Sequence, residues 1–348
     1  MATQHALVTG AHGIVGLNLV QELATRDDWQ VTASGRRDGL PVDGVDYVAA
    51  DLTDAEGLAE ALAGCGSVTH LFFGAFRYNS DPYEEIAVNM AILENTLDAL
   101  KAAGAKLQRV VNYQGGKAYG ALFGDARSPA RETDPRVPGP LFYYDQEDML
   151  YERGAREGFA TTILRPDYIQ GIGLGSYVSI VNTLAAYGTV CAALGQPLYF
   201  PGGHDAFHAL FQMTDARLLA RGTIWAAGEP HSDNALYNIT NGDLFRWANV
   251  WDRVADYFGV PAGRPLNMDM GLFMRGHHEL WAELKQKHDL VLDLSDIQDW
   301  SQGYILSSSL EMHSSTIRIR QAGFHDCLDT EDRLFELFDE MKARKYIP

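Results

Sequence analysis

A phenol becomes a useful proton donor near neutral pH when an ammonium beside it favours the tyrosinate, and one helical turn is a short way to bring the two together. The stretch LFYYDQEDML, residues 141–150, supplies the phenol without that ammonium: Glu147 follows Tyr143 by four positions, and Asp148 follows Tyr144 by four. A carboxylate at that spacing opposes the tyrosinate. Tyr143 is then either a core tyrosine at a helix start, the commoner use of a buried Tyr, or a donor whose cation arrives from elsewhere in the chain. A second constellation, HDAFH at His204–His208, imitates the HExxH zinc helix. Asp205 is one methylene shorter than the Glu that motif needs and no third ligand follows, so no metal site is expected. HHE at 277–279 reads as a solvated helix face.

Binding chemistry is easier to read. LVTGAHGIVGLNLV places Gly10, Gly13 and Gly16 after a β-rich run and at the opening of a helical one. In a strand–turn–helix unit the first glycine allows the tight turn, the second lets the backbone approach a pyrophosphate, and the third packs helix on strand. The helix N-terminus adds N–H groups and its dipole. At the end of the next strand, TASGRRDG carries Arg36 and Arg37 where an NAD site would present Asp or Glu to the ribose 2′-hydroxyl. A guanidinium matches a phosphate in charge and in paired hydrogen bonds, so NADPH is favoured over NADH. Asp38 directly after the pair keeps the NADH alternative open. ADLTD, after a third strand, puts Asp51 and Leu52 where the adenine should lie.

These residues need a scaffold, and the first half of the chain provides its pattern. HALVTG, WQVTAS, VDYVAAD, VTHLFF, QRVVNY and ATTILRP read as strands. Helical stretches are expected at Ile14–Ala24, Ala55–Leu62, Tyr83–Ala103 and Tyr143–Gly158. Alternation of this kind implies βαβ units, hence an α/β Rossmann-type doubly wound parallel sheet. We place an NADP-binding domain at 1–166. Residues 167–348 are mainly a smaller mixed substrate lobe over the sheet's carboxyl edge, with segments returning to the sheet. Gly171–Gly203 reads as irregular and aromatic, with later helices at Arg246–Phe258 and Glu331–Lys342.

The chain has 348 residues, 46% hydrophobic and 21% charged, enough to bury a sizeable core. Its formal charge of −18 argues against a nucleic acid or an anionic membrane as partner, since both need cations to displace counterions. Cys65, Cys191 and Cys327 lie far apart with no CxxC, MATQHALVTG enters a strand almost at once, and no apolar run reaches membrane length. These features predict a cytoplasmic protein acting on a small molecule, and a homodimer is compatible with them.

The strand QRVVNYQGGKAYG resembles the SSSxxVYG segment of extended short-chain dehydrogenases and sugar epimerases. With the Tyr-Gly pairs in register, Lys117 falls where that segment carries its catalytic Ser or Thr. QGGKAYG, LFYYDQEDML, SGRR, VTHLFF, LRPDYIQGIG, FPGG, IWAAGEP and YNITNGDLFRW together resemble the progesterone 5β-reductase/iridoid synthase-like family of atypical short-chain dehydrogenases, from the glycines to the terminal ARKYIP. The resemblance implies an NADPH-dependent reductase of enone C=C bonds. It makes Tyr143 and Lys117 the catalytic pair, with Phe76 and Phe123 lining the substrate pocket. The cofactor surface then takes in Ile14, Val15, Gly74, Gln114 and Ile169 beside the residues already named.

Four positions depart from the family pattern: Phe76 stands for Trp, Gly115 for Thr, Ala118 for His and Leu141 for Asn. They touch the pocket more than the chemistry, so neither a steroid nor an iridoid substrate is implied. A carbonyl reductase or sugar-nucleotide epimerase on the same scaffold is disfavoured by the missing Ser/Thr and by the loss of the Lys four places after Tyr143. A non-catalytic NADP sensor is disfavoured by the presence of both Lys117 and Tyr143.

Overall fold

The computed structural model describes residues 4–40, 42–121, 127–173, 179–297 and 303–348. The chain divides into two compact units. One comprises Met1–Asp167, Arg217–Ile239 and Ser314–Asp326; the other comprises Tyr168–Ala216, Thr240–His313 and Cys327–Pro348.

The first unit is built on β1 (Gln4–Thr9), α1 (Ile14–Ala24), β2 (Trp29–Gly35), β3 (Asp46–Ala49), α2 (Ala55–Ala61), β4 (His70–Phe73), α3 (Pro82–Ala102), β5 (Arg109–Tyr113), α4 (Phe142–Glu157) and β6 (Ala160–Pro166). A seventh strand, Ala235–Ile239, joins beside β6. The sheet order is therefore Ala235–Ile239, β6, β5, β4, β1, β2, β3, with every pairing parallel. β1 and β4 are buried almost throughout, which is why they read as continuous apolar runs and not as alternation. Strand order reverses between β1 and β4, and in such sheets the ligand crevice opens beyond the strand ends at that reversal.

Local chemistry starts and stops the helices. Asp54 caps α2 by accepting from Gly57 N. Asp81 accepts from Tyr83 N and Glu84 N ahead of Pro82, with Glu84 and Glu85 in the first turn of α3 and Lys101 in its last. Gly158, at φ +86°, ends α4. Leu58 of α2, Leu93 and Leu97 of α3 and Leu150 of α4 share one core with Leu71 and Ile163 of the sheet.

The second unit holds two short parallel pairs, Tyr168–Gln170 with Met213–Asp215 and Leu198–Phe200 with Ala262–Pro265. Its core gathers Trp247, Trp251, Trp281, Tyr187 and Phe200. Arg333 of the helix Thr330–Ala343 reaches buried Asp215 at 2.8 Å. Within the stretch expected to be irregular lies a 15-residue helix, Ile180–Leu194, started by Ser179, which accepts from Asn182 N. It is buried from Ile180 to Cys191 on every side, so it carries no amphipathic stripe to betray it.

His70 on β4 is 2% exposed and stands edge-on to Trp29, with centroids 4.9 Å apart. Burial, and then the Arg109 charge, lower its pKa from 6.5 to about 4. Burial likewise lowers that of His5, which hydrogen-bonds Ser67 and Thr32. Above pH 6.5 both folded and unfolded imidazoles are neutral; below it the unfolded chain takes up protons that folded His70 refuses until pH falls to about 4. Stability contributed by neutral His70 is thus present above pH 6.5 and is lost between there and about 4. We expect His70→Gln to weaken the acid dependence of urea unfolding by about 2–3 kcal/mol between pH 7.5 and 4. Parallel pH curves for variant and wild type would remove His70 from this role.

Candidate active site

The turn after β1 and the turn after β4 touch through main chain. Gly10 has φ +67°, and a Cβ there would lie 2.5 Å from Gly74 O; a Cβ on Gly16 would lie 2.3 Å from Gly10 O. Gly13 is the N-cap of α1, where no side chain caps the helix and no acidic residue occupies the first turn. Ile14 is buried beneath this end and Val15 is partly exposed. The helix start therefore keeps N–H groups for an anion, and the glycines leave room for a phosphate against the backbone. These features fit a dinucleotide pyrophosphate.

Arg36 and Arg37 follow β2 directly and both are exposed. Two residues not singled out in the sequence set their turn. His12 Nε2 lies 2.8 Å from Gly39 O, and Tyr47 Oη donates to Arg37 O at 2.5 Å. The His12 and Tyr47 rings meet edge-on, and a Cβ on Gly35 would strike His12 Nδ1 at 2.6 Å. Asp51 accepts from Thr53 N and Oγ1. Those bonds hold its carboxyl below the usual range, helped by the charges of Arg77 and Arg36. Leu52 packs against the core, and its carbonyl accepts from Asn95. Arg77 thus joins Arg36 as a cation acting at this edge, a contribution no local motif signals.

Tyr143 stands in the first turn of α4. Its hydroxyl is 3.7 Å from where a Gly115 Cβ would sit, two residues before Lys117 in the 3-10 turn Gly116–Tyr119. Tyr144 ties the two elements together: Tyr144 Oη donates to Ala118 O at 2.8 Å and accepts from Val137 N at 3.0 Å. Phe76 is 49% exposed and stacks on Phe142 at 5.6 Å, and Phe142 meets Tyr143 edge-on at 4.7 Å. Phenol, lysine-bearing turn and Phe76 therefore belong to one assembly.

Glu147 is held in a network with Arg165, Gln114 and Arg136. Its Oε2 accepts from Arg165 Nη2 at 3.3 Å and Gln114 Nε2 at 3.2 Å, and its Oε1 from Arg136 Nη2 at 3.2 Å. Gln114 Nε2 also donates to Tyr143 O at 2.9 Å, while its Oε1 accepts from Arg165 Nε at 2.7 Å. Arg136 grips Asp148 through two bonds of 2.7 Å. The side-chain amide of Gln114, expected at the cofactor surface, is engaged in this network. Arg165 and Arg136 gave no sequence signal, because their partners lie 18 and 11 residues away on other elements.

Ile169 lies in the second unit, on the strand paired with Met213–Asp215, opposite Thr214 and partly buried. Phe123 falls outside the described residues. His204 and His208 share a five-residue helix, and among the described residues no three His, Cys, Asp or Glu side chains cluster as metal ligands. No helix among them is long and apolar enough to cross a membrane.

The parallel sheet, the glycine turn at its reversal and the tyrosine beside a lysine-bearing turn define a Rossmann-type enzyme of the short-chain dehydrogenase class. A solved structure of RMD from Pseudomonas aeruginosa complexed with NADPH has the same fold, with TM-score 0.69 and 18% identity over 98% of this chain and 100% of that one. Residues 36–348 match the family model of the PRISE-like Rossmann-fold domain, and the chain belongs to that family. It is 30% identical to the 3-oxo-Delta(4,5)-steroid 5-beta-reductase of Arabidopsis thaliana, over 99% of this chain and 93% of that protein. It is 28% identical to the (S)-8-oxocitronellyl enol synthase of Catharanthus roseus, over 99% and 92%.

The close approach at the glycine turn can be tested directly. Gly16→Ala should weaken NADPH binding at least tenfold, about 1.4 kcal/mol by calorimetry. Gly64→Ala, where a Cβ meets nothing within 4 Å, should leave it unchanged. Equal affinities in both variants would contradict the packing argument.

Proposed function

We propose that this chain is an NADPH-dependent reductase of activated C=C bonds, adding hydride to the β-carbon of an enone, with Tyr143 as donor to the carbonyl oxygen and Lys117 as the cation behind it. The observation that carries this reading is the placement of the Tyr143 hydroxyl against Gly115, in the segment that bears Lys117. The relatives support it, since a 3-oxo-Delta(4,5)-steroid is itself an enone. The glycine turn and the start of α1 would hold the pyrophosphate, and Arg36 and Arg37 the 2′-phosphate. Free Cys65, Cys191 and Cys327 support a reducing, cytoplasmic setting.

Bound NADPH supplies the hydride. Addition at the β-carbon leaves negative charge on the substrate's carbonyl oxygen, and a donor already placed there lowers the barrier by about 3 kcal/mol. Tyr143 provides the O–H. Lys117 favours the tyrosinate left as the proton moves, doing from the turn after β5 what a lysine one turn along the helix would otherwise do. With Lys117 in the register position of the Ser/Thr that would clamp a carbonyl, Tyr143 is the principal donor. A carbonyl held by a single group can extend until its β-carbon, and not its carbonyl carbon, reaches the hydride. Phe76 supplies apolar surface for such a substrate.

Three measurements test this function. NADPH should bind at least tenfold more tightly than NADH, about 1.4 kcal/mol, and Arg36→Ala with Arg37→Ala should cut that preference. Equal affinities in the wild type would refute the 2′-phosphate assignment. Tyr143→Phe should lower kcat by roughly 10²-fold or more with NADPH affinity nearly intact, and Lys117→Ala should also impair turnover. Near-normal turnover in both would move the chemistry elsewhere. Enones should yield saturated ketones or aldehydes; allylic alcohol alone would mean carbonyl reduction at the same site.

A further inference from the structure

The carboxylate at position 147 stands where a lysine would serve the phenol, and its partners show what it does instead. Glu147 is 9% exposed and bridges three elements: α4, which carries it, β6 through Arg165, and the segment before α4 through Arg136. Gln114, just past β5, bonds to both Glu147 and Arg165 and donates to the main-chain oxygen of Tyr143. α4 has no side-chain cap at Leu141, so these bonds, with those of Tyr144, fix its first turn.

The charges in this region are balanced: the guanidinium groups of Arg165 and Arg136 face the carboxylates of Glu147 and Asp148. Other titratable groups here include Tyr144, Asp145 and Tyr151 on α4, Lys117 and Tyr119 on the 3-10 turn, Glu132 in the segment before α4, and Arg318 on the helix Ile317–Gln321. Arg165 also lies over the Tyr119 ring at 4.9 Å. The field of the network already reaches one phenol of α4: at Tyr151, after burial, Glu147 pushes the pKa up while Arg165 pulls it down. Tyr143 lies one helical turn from Glu147 in the opposite direction, on the same helix face.

We propose that Glu147 is a positioning residue: shared between Arg165 and Arg136 and linked through the Gln114 amide to the Tyr143 carbonyl, it anchors the first turn of α4 and balances the Arg165 charge within the network that holds Tyr143, leaving Lys117 to set the charge environment of the phenol. The proposal rests on the role of Tyr143 given above, and it accounts for a carboxylate at this position. A lysine at 147 would gather three cations around Gln114 and detach the helix start, so Glu147→Lys should not rescue Lys117→Ala.

The test uses full-length protein with 13Cζ-labelled tyrosine, Tyr143 being assigned by its loss in Tyr143→Phe. Titration followed by NMR needs no turnover, and the pH profile of kcat on an enone is recorded beside it. Glu147→Gln leaves the Arg165 charge unbalanced in the network that holds Tyr143 and should shift the phenol's titration down by about half a unit or more; Arg165→Gln should shift it up by a similar amount. The double variant buries no net charge, so it should fold even if a single variant does not, and should titrate within about 0.3 unit of wild type. The kcat profile should move with the phenol while KM for NADPH stays within about twofold. Shifts of the same sign in both single variants, no shift in folded single variants, or a displaced titration in the double variant would each overturn the proposal. If enones are not reduced at all, the assigned function fails while the titrations still decide the role of Glu147.

Discussion

The main-chain contact between the turn after β1 and the turn after β4 is the constraint on which the rest of the first unit depends. Gly10 and Gly74 approach so closely that a single methyl group would separate them, and Gly16 comes equally near Gly10. Because these turns flank the reversal of strand order, their contact sets where α1 begins and which of its N–H groups stay available. A side chain at Gly10 or Gly16 would widen the reversal and displace the N-terminal end of α1 together with the sheet edge beside it.

Charge is arranged locally against the overall balance of the chain. In a protein with net charge −18, Arg36 and Arg77 act on Asp51, and Lys117 stands within the turn Gly116–Tyr119. Deeper in, buried Arg165 is matched by Glu147, whose other oxygen holds the exposed Arg136. Burying such ions without partners would cost several kcal/mol each, and the bonds from Gln114 complete the satisfaction of the Glu147–Arg165 pair. Exposed Arg36 and Arg77 thus suit an incoming anion, while buried Arg165 serves architecture.

Much of this organisation is legible along the chain. The strand and helix pattern of the first unit follows from apolar runs, Asp caps and glycine stops, and α1 lies where its periodicity places it, Ile14–Ala24. The helix Ile180–Leu194 escapes notice because a segment buried all round has no polar face to mark its period. His12 and Tyr47 are missed for another reason: each acts on the turn of Arg36 and Arg37 across a gap in sequence, through a bond that neither residue type requires.

By itself the sequence determined the glycine turn, the paired arginines after β2, the parallel α/β scaffold and the absence of a YxxxK helix, because each is written in neighbouring residues with a fixed local geometry. Only the tertiary structure decided where Glu147 points, that Gln114 serves the inside of the site, and that the Tyr143 hydroxyl lies against Gly115. Those outcomes depend on residues brought together from β5, β6 and α4, where competition among buried charges for a few partners settles each side chain's direction. A linear pattern cannot record that competition, since its energies come from distances between elements that exist only once the sheet has closed around them.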